Sequence, residues 1–333
     1  MRRLLSYVLL NMSLLSWAQT ETVINQSKFF QIDNPSYFGF NRSNKIGVLY
    51  SKTKISETSQ VNHQYIFGSI TLEDQPFSLG LDLNNYTIQN SNFKVTFPRI
   101  AFVYQLQVDT NIYILPGISF GYWNETFNKE GLVFEDQINR NNGYINPETD
   151  DPMGNELGSS DYVDVGASFL LHTDRFFLGV SLTKINQPEI TLSSETPVKS
   201  NINLSAQGGV EWNINRHQRN FLPEQSYLFI FNNIRYIDKV YSFNLSQELQ
   251  LNEFSVGLSQ RASNSSKFSL NGMGVNFGLT LENFNFGMQY YFPINKGTTN
   301  FASNVFELYL IFEFTPFRRN NLRSYKRLQV DNY

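Results

Sequence analysis

From Ile202 to Ile214 the side chains alternate without a break. Ile202, Leu204, Ala206, Gly208, Val210, Trp212 and Ile214 fall on one side, and Asn203, Ser205, Gln207, Gly209, Glu211 and Asn213 on the other. A period of two puts these sets on opposite faces of an extended strand. The run is long beside the usual ~5–6 residues of a soluble strand. It suits a tilted strand crossing a bilayer, which needs at least ~9–11. Phe77 to Asn84 repeats the pattern, with Phe77, Leu79, Leu81 and Leu83 opposite Ser78, Gly80, Asp82 and Asn84.

The same alternation predicts strands near residues 45–55, 62–73, 76–88, 93–107, 111–124, 161–172, 175–184, 202–214, 225–234, 239–251, 254–262, 271–282, 283–293 and 304–315. About fourteen strands, an even number, is what a single-chain bacterial barrel has. Glycines recur on the polar faces, at Gly80, Gly166, Gly209, Gly257, Gly274 and Gly278, where a strand coils or an interior is crowded. The expected fold class is therefore all-β: a single transmembrane antiparallel β-barrel.

The connections support this independently. Numbered from the first strand, the even-to-odd links at residues 73–76, 108–111, 172–175, 251–253 and 282–283 are tight, with one exception at 215–224. The odd-to-even links include the two longest, 125–160 and 185–201, and medium loops at 263–270 and 295–303. Short periplasmic turns alternating with longer extracellular loops are the barrel pattern.

Composition removes the rivals. Residues 1–18 open with Arg2 and Arg3, continue through an apolar run from Leu4 to Leu15, and end Ser16-Trp17-Ala18, the layout of a cleaved secretory signal. Beyond Gln19 no apolar run approaches the ~18 residues of a helical span. There are no cysteines, so neither disulfides nor a thiolate site are in play. Without Arg2 and Arg3 the basic residues fall from 26 to 24 against 29 acidic ones, a net charge of −5 that excludes nucleic acid as a partner. Thirty Phe and 18 Tyr are heavy for a soluble chain whose mean hydropathy is only −0.32. A barrel reconciles the two figures because only every second residue meets lipid.

The reading divides the chain into a signal at 1–18, a periplasmic or plug segment at 19–42, an outer-membrane barrel at 43–315 and a basic periplasmic tail at 316–333. Residues 19–42 either plug the lumen or lie against its inner mouth. The last strand sets Phe306, Leu308, Leu310, Phe312 and Phe314 against Glu307, Tyr309, Ile311 and Glu313. After it, Arg318, Arg319, Arg323, Lys326 and Arg327 make the tail basic. That tail is either an unstructured end or a contact for an acidic periplasmic partner or anionic headgroups.

Three segments carry a family resemblance. Phe29 to Gly39, containing Asn34-Pro35-Ser36-Tyr37-Phe38-Gly39, resembles the Asn-Pro-Ala-Tyr-Ala-Gly opening of the PorP/SprF outer-membrane proteins of type IX secretion and gliding, with Ser36 and Phe38 in place of small residues. Val163 to Leu182, followed by Asn186-Gln187-Pro188, is similar to a hairpin of that family, and Phe306 to Phe314 to its terminal strand. The resemblance implies a barrel that assists secretion or surface retention of a large adhesin. Its partners would be outer-membrane lipid, the secreted cargo, and type IX components or a periplasmic protein.

Catalysis finds little support. A hydrolase needs a nucleophile beside an oriented histidine. Only His63, His172 and His217 exist, and the strand map puts the last two in inner turns and His63 near the outer rim, as solvated polar side chains. No cofactor is expected. Glu148, Asp150, Asp151, Glu156 and Asp161 could supply oxygens to Ca2+, but their spacing matches no EF-hand loop and a solvated acidic loop is the default. Exposed loops on a rigid scaffold are where function tends to reside. The candidate partner-binding residues are therefore Phe127, Phe134, Tyr144, Asp150, Asp151 and Tyr162 around the longest loop, with Asn34, Pro35, Tyr37 and Gly39 from the opening segment. The alternative function is a solute-conducting, porin-like channel.

Overall fold

In a computed structural model of the chain, the described residues are 25–54, 59–72, 75–89, 93–127, 135–138, 145–146, 159–190, 198–216, 221–264, 268–294, 304–314 and 328. The strands are β1 (Asn44–Lys54), β2 (Gln60–Thr71), β3 (Phe77–Ile88), β4 (Phe93–Tyr104), β5 (Ile112–Phe127), β6 (Ser159–His172) and β7 (Phe176–Thr183). They continue as β8 (Asn203–Asn213), β9 (Ser226–Ile237), β10 (Val240–Leu251), β11 (Phe254–Asn264), β12 (Phe268–Leu281), β13 (Phe284–Pro293) and β14 (Asn304–Phe314). Past a break at Gln105, β4 resumes at Leu106–Asp109, still paired with β5.

Each strand pairs antiparallel with its chain neighbours, and β1 pairs with β14 from Asn44 opposite Phe314 to Lys54 opposite Asn304. The ladder thus closes into a fourteen-stranded barrel with short periplasmic turns and longer extracellular loops. Closure leaves no unpaired edge, the condition under which strands can cross hydrocarbon. No helix among the described residues is long and apolar enough to cross a membrane.

The alternation sorts faces as expected. On β3, Leu79, Leu81 and Leu83 are exposed on the outer wall while Ser78, Gly80, Asp82 and Asn84 are buried. On β14, Phe306, Leu308 and Leu310 point out and Glu307, Tyr309 and Ile311 point in. Glu313 departs from the expected inward set: its side chain is 49% exposed and pairs with Lys45 at 2.7 Å. It stands at the short-turn rim, opposite Lys45 in the β1–β14 register, where the lumen packing has ended.

The medium loop expected at 263–270 is much shorter. Ser263 pairs with Ser269 and Asn264 with Phe268, so β12 begins three residues earlier than its alternation suggests. A register shift between Arg261 and Ala262 hid this extension, because a bulge breaks strict alternation. At the same end, Asp238 and Lys239 turn the chain with φ of 48° and 68°. Two positive φ values match the twist of a tight hairpin.

Leu81, 61% exposed and central in β3, tests the outer face. Arg at this position should cost about 2–4 kcal/mol, the midplane value for a lipid-facing cation. Urea titration of the barrel in lipid bilayers checks it; a cost near zero would mean Leu81 does not face hydrocarbon.

Candidate functional site

Of the opening segment, residues 25–42 are described, and they lie within the ring of strands. Residues 25–42 form a strap inside the barrel, made of two 3-10 turns at Phe30–Ile32 and Pro35–Arg42. The local sequence explains its shape. Asn34 caps the second turn by accepting the Ser36 N–H at 3.0 Å, and Pro35 pre-sets the first φ. Positive φ at Asn41 and Arg42 ends the turn and releases the chain into β1. Arg42 donates to the carbonyls of Leu72 and Gln75, tying the exit to the first periplasmic turn.

Charged and polar groups hold the strap around the circumference. The Arg99–Asp82 pair, 2.5 Å apart, is 4% and 0% exposed, and Arg99 also donates to the carbonyls of Gln31 (2.7 Å) and Ile32 (3.1 Å). Asp33 accepts Asn233 Nδ2 at 2.6 Å and pairs with Arg235 at 3.2 Å, while its carbonyl accepts Ser181 Oγ. Lys28 pairs with Glu248 at 2.9 Å, and Glu307 accepts the Asn25 N–H at 2.9 Å. Gln26 Oε1 accepts from Asn233 and Asn244. A charge taken from water is tolerable only when paired and hydrogen-bonded, and these are.

Aromatic packing fills the space between. Phe29 meets Tyr65, Phe67 and Tyr309 edge-on, with centroids 5.8–6.0 Å away. Phe30 lies against Tyr37, Phe177, Phe229 and Phe231. Phe38 is accommodated by Gly80, where an added Cβ would come within 2.1 Å of the ring. At Gly179, too, the strap presses on the wall, where a Cβ would meet Asn34 Nδ2 at 2.6 Å, whereas Gly166, Gly209, Gly257, Gly274 and Gly278 make room for side chains of neighbouring wall strands.

The candidate residues divide between two places. Asn34, Pro35, Tyr37 and Gly39 are buried in the lumen, with Asn34 Nδ2 donating to the Phe169 carbonyl at 3.2 Å. Tyr162 is at the long-loop end of β6, 6% exposed and stacked on Trp123 of the paired strand at 5.7 Å. Lys184 reaches over both rings, 5.2 Å from Trp123 and 5.3 Å from Tyr162. Burial pulls its ammonium below the usual lysine value, against the pull of Asp164. Asn186 extends this hairpin, donating to the Val163 carbonyl and accepting the Val165 N–H. Phe127 is the last residue of β5; Phe134, Tyr144, Asp150 and Asp151 lie outside the described residues.

His63 and His172 are not the solvated side chains expected. His63 is 3% exposed, bonded to Asn84 at 3.0 Å and stacked on Tyr86. His172 is 1% exposed against Tyr113 and Phe40. Both face a packed interior in place of water, which alternation alone does not reveal. His217 lies outside the described residues, as does the acidic loop from Glu148 to Glu156; Asp161 accepts Asn124 Nδ2 at the rim. The charged wall residues Asp82, Arg99, Arg235, Glu248 and Glu307 were missed as functional positions. Their signal was charge on the inward face, which reads equally well as the lining of a wet channel.

A family profile described as type IX secretion system membrane protein PorP/SprF matches residues 18–312. No curated protein matches the chain. Among solved structures, the CymD monoaromatic hydrocarbon channel is 10% identical with a TM-score of 0.50, over 87% of this chain and 93% of that one. The outer membrane protein Omp33 of Acinetobacter baumannii is 8% identical with a TM-score of 0.46, over 82% and 98%. At such identities the likeness is one of fold alone. Family and fold are non-enzymatic in kind. A match that spans all but the ends of a closed, strap-filled barrel gives the conclusion: this chain belongs to the PorP/SprF family of type IX secretion system membrane proteins, in the bacterial outer membrane.

Proposed function

We propose that the barrel docks a secreted cargo protein, or a component of the secretion machinery, at its long-loop end and conducts no solute. The observation that carries this reading is the occupied lumen. Phe29, Phe30, Tyr37, Phe38 and Phe40 stand where a porin would hold water. A filled barrel is a rigid platform, and its loops are the parts free to recognise a partner. The residues offered for this are Phe134, Tyr144, Asp150 and Asp151 of the longest loop, with Phe127 and Tyr162 on the two strands that carry it, because buried aromatic anchors carry most of an interface's energy.

Deleting Gly131 to Gly158 should leave a folded, heat-modifiable barrel while cargo disappears from the cell surface. The purified protein should show little steady conductance in planar bilayers. Strong conductance, with surface cargo untouched by the deletion, would transfer the assignment to a channel.

A further inference from the structure

The strap is not the only terminal segment in the lumen. Leu328, fourteen residues beyond the end of β14, is 1% exposed and belongs to the same apolar cluster as Phe177, Phe229 and Phe231. Its backbone N–H donates to Glu211 Oε2 at 2.9 Å. Glu211 is two residues from the short-turn end of β8, faces inward and is 4% exposed. Across the ladder it stands opposite Phe229, itself 2% exposed. A carboxylate at this depth is costly without donors, and an apolar side chain beside it gains by leaving water.

We infer that the inward face at the periplasmic mouth, built on Glu211 and the apolar cluster beside it, is a docking site for this chain's own C-terminal segment. Leu328 is the apolar anchor and Glu211 the acceptor that fixes its backbone. The strap is held by two ion pairs of its own, Lys28–Glu248 and Asp33–Arg235, by the Arg99 guanidinium on its carbonyls and by a set of aromatic contacts. Leu328 adds a separate point of attachment on the inward wall, at Glu211. The inference stands on these contacts alone and is independent of what the long loops bind.

The sequence supplies its own probe, because Lys326 and Arg327 immediately precede Leu328. Leu328 must leave its place in the mouth before trypsin can seat it on the far side of a cut after Arg327, so release of the peptide Leu328 to Tyr333 from the detergent-solubilised full chain reports undocking. Glu211→Gln and Leu328→Asp should each accelerate release about tenfold, the factor expected when a hydrogen bond to a charged group or a buried apolar contact is lost. Cleavage in surface loops should keep its rate. The chain has no cysteine, so Glu211→Cys with Leu328→Cys supplies a second arm that does not depend on those variants folding well. An oxidant should join the two positions, and a maleimide should label Leu328→Cys far more slowly than Thr110→Cys in an exposed periplasmic turn. The inference is overturned if neither substitution changes release, or if the pair stays reduced and Leu328→Cys labels as fast as Thr110→Cys.

Discussion

Arg99→Met is expected to lower the stability of the folded barrel by about 3–5 kcal/mol, the cost of stranding one partner of a buried ion pair. Three losses coincide. Asp82, fully enclosed, loses its counter-charge, and the carbonyls of Gln31 and Ile32 lose the donor that fixes the strap's first turn. Tyr65, which donates to Asp82 at 3.2 Å, cannot replace a guanidinium. The loosened strap should also let ions pass, so single-channel conductance should rise along with sensitivity to urea. Adding Asp82→Leu should recover part of the stability, since an apolar pair avoids the unpaired charge, but leave the strap's carbonyls without donors and the leak in place. Unchanged conductance and an unchanged urea midpoint in Arg99→Met would show that the strap does not depend on this pair.

Phe29→Ala is expected to cost about 3–5 kcal/mol, the range for removing a buried phenyl ring whose surroundings cannot collapse. The surroundings here are a closed ladder. Tyr65 and Phe67 come from β2 and Tyr309 from β14, and wall strands fixed by hydrogen bonds on both sides cannot move in to fill the space. Three edge-on ring contacts, each worth about 0.5–1.5 kcal/mol beyond area, vanish together. Phe29→Leu keeps most of the volume and should cost well under half as much. The gel-shift temperature of the two variants, compared with the parent, separates them. Equal effects would mean that ring packing is not what seats the strap.

The wall of this protein was legible in its sequence and the content of the wall was not. Period two is written into residues such as Leu79, Leu81 and Leu83, because lipid on one side selects for it strand after strand. The strap has no such periodicity. Its Asn34-Pro35 turn is a local signal, but whether Phe29, Phe30 and Phe38 bury inside or outside is decided by glycines and charges over forty residues away, at Gly80, Arg99 and Glu248. The inward charges were visible, yet water and a polar strap ask for the same residue types. The β11–β12 connection was misjudged for a different reason, since the irregularity after Arg261 cancels the alternation used to find strands. At the rim, Tyr162 was singled out as a candidate without its neighbours Trp123 and Lys184, whose contact with it depends on cross-strand register.

The strap precedes β1 in the chain and ends up enclosed by everything that follows. Its contacts reach β3 at Gly80, β4 through Arg99, β6 and β7 through Asn34 and Asp33, β9 and β10 through Asn233 and Glu248, and β14 through Glu307. The seam between β1 and β14 joins the two strands farthest apart in sequence, the contact with the greatest loop-closure cost and so the slowest to form. The strap and the wall must therefore agree in girth: Phe29, Phe30 and Phe38 each reach wall residues from within, so a ladder one hairpin narrower would have no place for these rings and one a hairpin wider would leave them unpacked.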